Sequence, residues 1–578
     1  MNPGIYAVAA LEGQPVREQD CATLGIAFPD EPASFAVSMR DNRPTSAPLQ
    51  RGAATFVMQG IIDNPDLVAR ELGAPASLSD VELAACAYER WPDTLPARMQ
   101  GEWSLVRWDG NRRQLTAIVG DRTWDPVFIA TDGTWVAVAP SPLALARLSW
   151  VGMELNAEAV ATVLLPWRLR ARPIEPCYLK GIHLVEHGTI HRVFARQQRT
   201  TCRQKPDEPA WSGDFAAAVE AMETTTRSVI RRQLASQGDT AILLSGGLDS
   251  SLIAALAVQE ARAGQRIFAV SSVARPEDAI PDERRFIEVV ARHLGIDVSY
   301  VTPPDDAEIY RPPPSQLAFE AKLVPGPRHY LYRALYEAAA DRGATAVMSG
   351  DFGEASVTRD QPLVSSMNML RSMKRPFQQQ ATADLPSVFS ARPSREIATL
   401  FDRVGQAHKP AAGLGLKWPG APMGPAEGEA KSGRSSTAVA QGSIRRLMPL
   451  RATGLVGLSA TLPAGFTHRK GQSRAIAREI LSRHLPELIA RRPDKGPFSP
   501  DYKARLYRHA REAHDRLPSY RASGVGTWLD LQWLSRELAA LERGDARRYG
   551  QLLQVQATAL TAEMLVMLNG TSCQGGPA

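Results

Sequence analysis

Residues 241–251 read Ala-Ile-Leu-Leu-Ser-Gly-Gly-Leu-Asp-Ser-Ser. Four apolar residues are followed by a serine, two glycines, a leucine, an aspartate and two further serines. A helix-like apolar stretch, 252–258, follows. Glycines let backbone N–H groups approach an anion closely, and a helix N-terminus adds free donors and a favourable dipole. The segment therefore predicts a strand, a phosphate-binding turn and a helix. It lacks the Gly-Lys-Ser/Thr ending of a P-loop, so a different phosphate site is indicated.

Strand-like and helix-like stretches alternate after this turn. The stretches are 267–273, 282–294, 298–301, 329–342 and 344–348. Such alternation predicts a parallel sheet flanked by helices. Ligands of these sheets bind at the carboxyl ends of strands, and Ser245 and Ser349 each follow such an end.

The second strand end carries two acids. Residues 347–354 read Val-Met-Ser-Gly-Asp-Phe-Gly-Glu. Residues 245–251 resemble the pyrophosphate loop of ATP pyrophosphatases, which release pyrophosphate from ATP, and Mg²⁺ on that product prefers carboxylate oxygens. Asp249 and Glu354 are the candidate magnesium ligands, and Asp351 is the candidate base or positioning group for the substrate. Taken alone, the two acids at 351 and 354 are more typical of a solvated loop; their place after a second Ser-Gly strand end favours a functional role.

A third element lies at 491–500, Arg-Arg-Pro-Asp-Lys-Gly-Pro-Phe-Ser-Pro, after a predicted helix at 475–485. Lys495 sits there among glycine and prolines, where an ammonium group can stabilise an anionic transition state. The alternative is an ordinary surface lysine.

Composition restricts the class of protein. A chain of 578 residues is expected to form two or three domains, and 44% hydrophobic with 22% charged residues is typical of a globular protein. No apolar stretch approaches the roughly 20 residues of a membrane span, and residues 1–10 lack the basic region of a signal peptide. Five scattered cysteines without a Cys-x-x-Cys pair, and a charge of +6, fit a reducing cytoplasm and do not require nucleic acid.

The chain divides into two predicted domains. Residues 1–203 alternate short strand-like runs with turns, 204–212 form a Pro-containing charged linker, and 213–578 contain the phosphate turn and a helical C-terminal part. The Pro-, Gly- and Ser-rich segment 419–442 predicts a mobile loop.

Together these motifs resemble the asparagine synthetase family along most of the chain. The synthetase motifs are 243–251, 349–354 and 492–498, the last similar to Arg-x-x-Lys-x-x-Phe. In the N-terminal half, 60–64 resembles Gly-Glu-Ile-Tyr-Asn, and Asp121-Arg122 corresponds to Asp-Arg-x-Gly. The resemblance implies an α/β fold, with an Ntn-hydrolase-like α+β sandwich followed by a parallel-sheet ATP-pyrophosphatase domain.

The resemblance also implies ATP and Mg²⁺ as cofactors. The implied nucleotide-binding residues are Leu243, Ser245, Gly246, Gly247, Asp249, Ser250, Ser251, Val270, Ser349 and Gly350.

Three positions depart from the family. A glutamine-hydrolysing member has a nucleophilic cysteine immediately after the initiator methionine, where this chain has Asn2. Glutamine hydrolysis is therefore not expected, and the N-terminal domain is interpreted as an inactive, glutaminase-like relic or a partner surface. Ala355-Ser356 replace a further acid and Gly-Gly-Tyr, and the family's Pro-Phe-Leu-Asp is reduced to Met448–Arg451.

An intact ATP loop beside a changed substrate pocket indicates a relative that joins an activated carboxylate to an amine already in the substrate. Lasso peptide cyclases and β-lactam (or carbapenam) synthetases resemble this description. The β-lactam enzymes have a tyrosine where Asp351 stands, so we favour the cyclase, with a precursor peptide as substrate and a leader-binding or protease protein as companion. Another amide-forming synthetase, and a non-catalytic scaffold, remain as alternatives.

His183, His187 and His191 recur at every fourth residue, a spacing that would suit a metal site on one helix face. The residues around them predict instead a turn between two strands of a hairpin, in which the three rings would not converge.

Overall fold

The computed structural model describes residues 4–40, 47–123, 125–157, 159–160, 177–202, 209–278, 280–313, 323–360, 444–469, 471–493, 496 and 498–572. Asn2, Lys495, the segment 419–442 and most of the predicted linker lie outside these described residues.

The N-terminal part contains two antiparallel sheets, with strand orders β2-β1-β8-β7-β9 and β11-β10-β6-β5-β4-β3. The strands are β1 (Gly4–Ala10), β2 (Phe35–Arg40), β3 (Leu49–Arg51), β4 (Ala54–Ile62), β5 (Gly101–Asp109), β6 (Gln114–Val119), β7 (Phe128–Thr131), β8 (Trp135–Ala139), β9 (Ile182–Leu184), β10 (Thr189–Phe194) and β11 (Gln197–Cys202). The helices are α1 (Glu18–Leu24), α2 (Pro65–Leu72), α3 (Asp80–Arg90), α4 (Leu95–Arg98) and α5 (Pro142–Ala146).

The two sheets pack face to face. Alternate residues of β1 point in opposite directions, as the period of two in a strand requires. Ile5 and Ala7 enter a core shared with Val106 and Val119 of the other sheet. Tyr6 and Val8 instead meet α1 and α5, while α2 to α4 cover the outer face of the second sheet. The result is the predicted α+β sandwich.

The second part is built on a parallel sheet of order β14-β13-β12-β15-β16. Its strands are β12 (Thr240–Leu243), β13 (Ile267–Ser272), β14 (Val298–Val301), β15 (Ala346–Ser349) and β16 (Arg445–Leu447). The flanking helices are α6 (Phe215–Ala235), α7 (Leu248–Glu260), α8 (Arg284–Leu294) and α9 (His329–Asp341). All four strand pairs are parallel, so the predicted parallel sheet is confirmed.

Helices cover both faces of this sheet. Ala241 and Leu243 lie in a core with α9, and Ile242 and Leu244 lie in a second core with α6 and α7. The chain builds the sheet outward from β12 through β13 to β14, then restarts on the other side with β15. This reversal makes the β12–β15 boundary the topological switch point, where open parallel sheets bind ligands.

The C-terminal part is helical, as predicted. Its helices are α10 (Thr453–Thr461), α11 (Ala475–His484), α12 (Glu487–Ala490), α13 (Tyr502–Arg508), α14 (Ala510–Asp515), α15 (Leu517–Ala522), α16 (Leu531–Glu542) and α17 (Tyr549–Ser572). One face of α17 packs in the core of the parallel-sheet part through Val555 and Ala559. Its other face places Leu560 and Met564 against the N-terminal sheet, so α17 joins the two parts.

The predicted histidine hairpin is wrong in one respect. β9 pairs with β7, whereas β10 pairs with β6 and β11, so the two strands belong to different sheets. The turn at His187 therefore crosses from one sheet to the other. Among the helices of the described residues, none has the length and apolar character needed to cross a membrane.

Candidate active site

Three residues implied as nucleotide contacts lie in one row across the sheet. Leu243 on β12 is in register with Val270 on β13 and, on its other side, with Ser349 on β15. The row lies at the carboxyl ends of the three strands, directly before the loop 245–251. The structure thus brings the two predicted strand ends side by side at the switch point.

The loop 245–251 has a tight internal structure. Gly246 has a φ of 67°, and a Cβ there would stand 2.8 Å from Cβ of Phe286 on α8, so a glycine is needed. The buried hydroxyl of Ser250 accepts the backbone N–H of Ser245 at 3.1 Å and lies 3.0 Å from Oγ of Ser245. These bonds fix the turn at its entry into α7.

The loop fits an anionic group. Among the described residues, the N–H groups of Gly246 and Gly247 have no hydrogen-bond partner, and Leu248 opens the first turn of α7, a helix of 13 residues. Exposed donors at a helix N-terminus are the usual protein site for phosphate. The residues present therefore fit the pyrophosphate part of ATP.

The second loop packs directly on the first. A Cβ on Gly350 would stand 2.6 Å from the backbone nitrogen of Ser250, and one on Gly353 would overlap Oδ1 of Asp249. Thr358 donates its hydroxyl proton to the same Oδ1. Asp249 is thus held against the segment 349–358. The glycines of both loops were visible in the sequence, but the contact between the loops was not.

Asp351 lies at the edge of this second loop. Its Oδ2 accepts hydrogen bonds from Oγ of Ser349 at 2.9 Å and from Nη2 of Arg446 at 2.7 Å. Arg446, on β16, is mostly buried and lies over the ring of Tyr332 at 5.6 Å. Among the described residues Oδ1 of Asp351 has no hydrogen-bond partner, so it can accept a proton or a hydrogen bond from a substrate.

Two tyrosines of α9 face the Asp351–Arg446 pair. The negative charge of Asp351 and burial raise the pKa of Tyr332 well above its usual range. Burial raises the pKa of Tyr336 to about 12. Both side chains therefore stay neutral and present aromatic and hydroxyl groups beside the carboxylate.

Glu354 is exposed and lies in a short 3-10 turn, Gly353–Ala355, that follows the contact with Asp249. Among the described residues no group of three or more His, Cys, Asp or Glu side chains could hold a metal by itself. Two carboxylates suit Mg²⁺ that takes its remaining ligands from phosphate oxygens and water. The donor set fits a metal that enters with ATP.

The third predicted element, residues 491–500, is bonded to the loop 245–251 through Arg492. Arg492 is buried, donates to the carbonyl oxygen of Gly246 at 2.7 Å and pairs with Glu283 at 2.6 Å. Glu283 also accepts the N–H of Gly496 at 2.8 Å. Lys495 lies outside the described residues; Arg492 before it bonds the phosphate loop, and Gly496 after it bonds Glu283, the partner of Arg492. The sequence did not indicate these contacts of Arg492 and Glu283.

The N-terminal domain contacts this site at Arg451, in the segment Met448–Arg451. Arg451, 2% exposed, donates to Nε2 of His187 at 3.2 Å and lies 5.1 Å from the ring of Phe352. Glu102 of β5 and Asp63 lie nearby in the N-terminal domain, half-buried and with inaccessible carboxylate oxygens. Burial raises the pKa of Asp63 to about 7 and that of Glu102 to about 8.

Comparison with known proteins agrees with this arrangement. Residues 221–567 match the family model described as asparagine synthase, and residues 33–147 match one described as a glutamine amidotransferase domain. The chain is 24% identical over 254 residues to Amidase chyE of Penicillium rubens, a stretch that covers 40% of this chain and 35% of that protein.

It is also 24% identical over 192 residues to a Mycobacterium bovis protein provisionally named a glutamine-hydrolyzing asparagine synthetase, covering 32% of this chain and 29% of that one. The matched stretches thus span only about a third of each relative.

A solved glutamine phosphoribosylpyrophosphate amidotransferase from B. subtilis, complexed with ADP and GMP, covers 62% of this chain and 77% of its own at 11% identity. Its TM-score of 0.23 is too low to carry an argument. The asparagine synthase model, in contrast, spans well over half of the sequence and includes both strand ends and the Arg492 segment. The chain belongs to the asparagine synthase family.

Proposed function

We propose that this protein is an ATP-dependent macrolactam synthetase of the lasso peptide cyclase type. It adenylates an Asp or Glu side chain of a precursor peptide and joins it to the peptide's own N-terminal amine, releasing AMP and pyrophosphate. That the protein is an ATP-dependent amide-forming ligase follows from its family membership. The lasso cyclase proposal is supported by an intact phosphate loop in a chain with Asn2 at the position of the glutaminase nucleophile.

The first step takes place on the loop 245–251. A carboxylate oxygen of the peptide attacks the α-phosphorus of ATP, and the bond to the pyrophosphate oxygen breaks. The amides of Gly246 and Gly247 and the N-terminus of α7 hold the departing pyrophosphate. Asp249 and Glu354 would hold Mg²⁺, which neutralises charge on the phosphate oxygens. Lys495 is proposed to add a further positive charge.

The second step takes place beside Asp351. The amine nitrogen attacks the acyl carbon, the bond to the AMP oxygen breaks, and the amine gives up a proton. Arg446 and Ser349 hold Oδ2 of Asp351, so that Oδ1 can receive that proton. Because both reacting groups belong to one peptide, holding them together can contribute about 7–11 kcal/mol to lowering the barrier.

Tyr332 places an aromatic ring over Arg446, the partner of Asp351, and this ring is proposed to contact the acyl chain. A companion protein that binds or cleaves the leader of the precursor is the proposed partner. A β-lactam-type or other amide-forming synthetase is the second candidate, since the loop and the Asp351–Arg446 pair would serve any internal amine.

The test is release of pyrophosphate on incubation with Mg-ATP and linear peptides that have a free N-terminus and one internal Asp or Glu. Wild type should release pyrophosphate and yield a product lighter by one water, as seen by mass spectrometry. Asp249→Ala should abolish release, while the exposed Asp297→Ala should not.

An N-acetylated peptide should still be adenylated but give no ring. Undiminished release from Asp249→Ala would remove this mechanism. Failure to bind ATP at all would indicate a non-catalytic scaffold.

A further inference from the structure

Arg451 is a single buried side chain that touches both parts of the molecule. Its Nη2 donates to Nε2 of His187, which lies in the turn between β9 and β10 of the N-terminal domain. Its guanidinium also lies 5.1 Å from the ring centre of Phe352, within the range of a cation–π contact. The same side chain therefore links the N-terminal sandwich to the loop that carries Asp351 and Glu354.

Phe352 needs outside support. Its φ of 71° is in the left-handed region, which is uncommon and costly for a bulky residue. Such a conformation persists only where the surroundings hold it in place. The buried ring of Phe352 packs on Met448 on one side and meets Arg451 on the other. These two contacts hold the turn at a point where Asp351 precedes it and Glu354 follows.

The N-terminal domain also places a carboxyl group near Arg451. Glu102 of β5 is half-buried, and its inaccessible Oε1 has no hydrogen-bond partner among the described residues. Burial raises the pKa of Glu102, while the positive charge of Arg451 lowers it; Asp63, Asp125 and Arg446 also act on this carboxyl.

Gln100, just before β5, closes the same interface. A Cβ on Gly454 of α10 would stand 2.6 Å from its Oε1. The two parts are thus in close contact at Gly454 as well as at Arg451.

We propose that the N-terminal domain works as a clamp: His187 holds Arg451 against Phe352 and so fixes the turn bearing Asp351 and Glu354. Arg451 is thus a positioning residue. The inference rests on the proposed function only in treating Asp351 and Glu354 as site residues, and it requires no particular substrate.

Amide hydrogen exchange of the full chain tests the clamp without any substrate. The N–H groups of Ala355, Ser356 and Thr358 are hydrogen-bonded to Phe352 or Gly353, so their exchange reports the turn. Arg451→Met keeps the length of the side chain and removes its charge. It should speed exchange at these amides by about tenfold or more, with exchange in β4 and β12 unchanged to within about twofold.

Three further variants separate positioning from general instability. Arg451→Lys should restore much of the protection, because it keeps the cation. His187→Leu, a change made only in the N-terminal domain, should loosen the same amides. Arg107→Met, which breaks an ion pair with Asp109 elsewhere in that domain, should leave them unaffected.

If Arg451→Met and His187→Leu both leave the turn as protected as wild type, the clamp is refuted. If they loosen it in a protein that releases no pyrophosphate with any peptide, the clamp stands and the proposed function fails. In an active enzyme, Arg451→Met should lower kcat much more than it raises KM for ATP, and Arg451→Lys should recover part of that loss.

Discussion

Gly353 faces the carboxylate of Asp249 across a gap too narrow for any side chain: a Cβ on this glycine would overlap Oδ1 of Asp249. Only a glycine at position 353 therefore leaves room for the carboxylate that is proposed to hold magnesium.

Gly353→Ala should accordingly displace Asp249 and lower pyrophosphate release by about a hundredfold, the usual effect of a small misplacement in a reacting group. Steady-state assays with Mg-ATP would measure it. Gly465→Ala is the matched control, because a Cβ there meets nothing within 4 Å, and it should retain activity to within about twofold. Equal activity of both variants would show that the loop tolerates the displacement.

Arg492→Met should destabilise the protein as well as the loop. It leaves Glu283 buried without its partner, for which a loss of about 3–5 kcal/mol in the free energy of unfolding is expected. Urea denaturation would measure the loss, and KM for ATP should rise because the carbonyl of Gly246 loses its donor. Arg231→Met, on a side chain that is 67% exposed, should cost less than about 0.5 kcal/mol.

Glu354→Gln should raise the Mg²⁺ concentration needed for half-maximal pyrophosphate release by about tenfold, because one hard oxygen ligand is lost. Titration of activity with Mg²⁺ at saturating ATP would measure this. The exposed Glu487→Gln should leave the titration curve unchanged. An unaltered curve for Glu354→Gln would assign the second metal ligand elsewhere.

Asp351→Asn should separate the two chemical steps. Pyrophosphate release should persist, while ring formation slows by about a hundredfold or more, the range for loss of a general base. Comparison of pyrophosphate release with cyclic product over time would show the difference. A parallel loss of both would place Asp351 in the adenylation step instead.

Asp63 and Glu102 should make the protein less stable at high pH. Burial raises their pKa values to about 7 and about 8, from ordinary values of 3.8 and 4.5, so the folded state retains protons that the unfolded state releases. Stability is greatest below the ordinary values, falls as pH rises, and has lost this contribution above about pH 8.

The double variant Asp63→Asn, Glu102→Gln should remove that slope. It should be more stable than wild type at pH 9, with little gain at pH 4. Chemical denaturation at several pH values would test this, with the exposed Asp297→Asn as control. A slope that survives in the double variant would place its origin in other groups.

Much of the architecture could be predicted because it depends on local pattern. Strand-like runs that end in Gly-containing turns predicted that Ser245 and Ser349 share an edge of the sheet, and the register of Leu243 with Ser349 places them there. The histidine turn was misplaced because local alternation does not say which sheet a strand joins. β9 pairs with β7 and not with β10.

The supporting contacts of the site were beyond sequence reasoning. The bonds of Arg446 to Asp351, of Thr358 to Asp249 and of Arg451 to His187 each join residues far apart in the chain. No spacing rule predicts them, because they arise only when separate elements pack. The departure at Arg451 could be seen in the sequence, but its meaning depends on the domain that it touches.

The bond from Arg492 to Gly246 spans 246 residues, and this has a consequence for biosynthesis. The ribosome completes the central sheet strand β12 and its glycine turn long before it adds the arginine that braces them. A nascent chain therefore carries an unbraced phosphate loop until its C-terminal helices emerge. The braced form of the loop is therefore acquired only when the last third of the chain has been made.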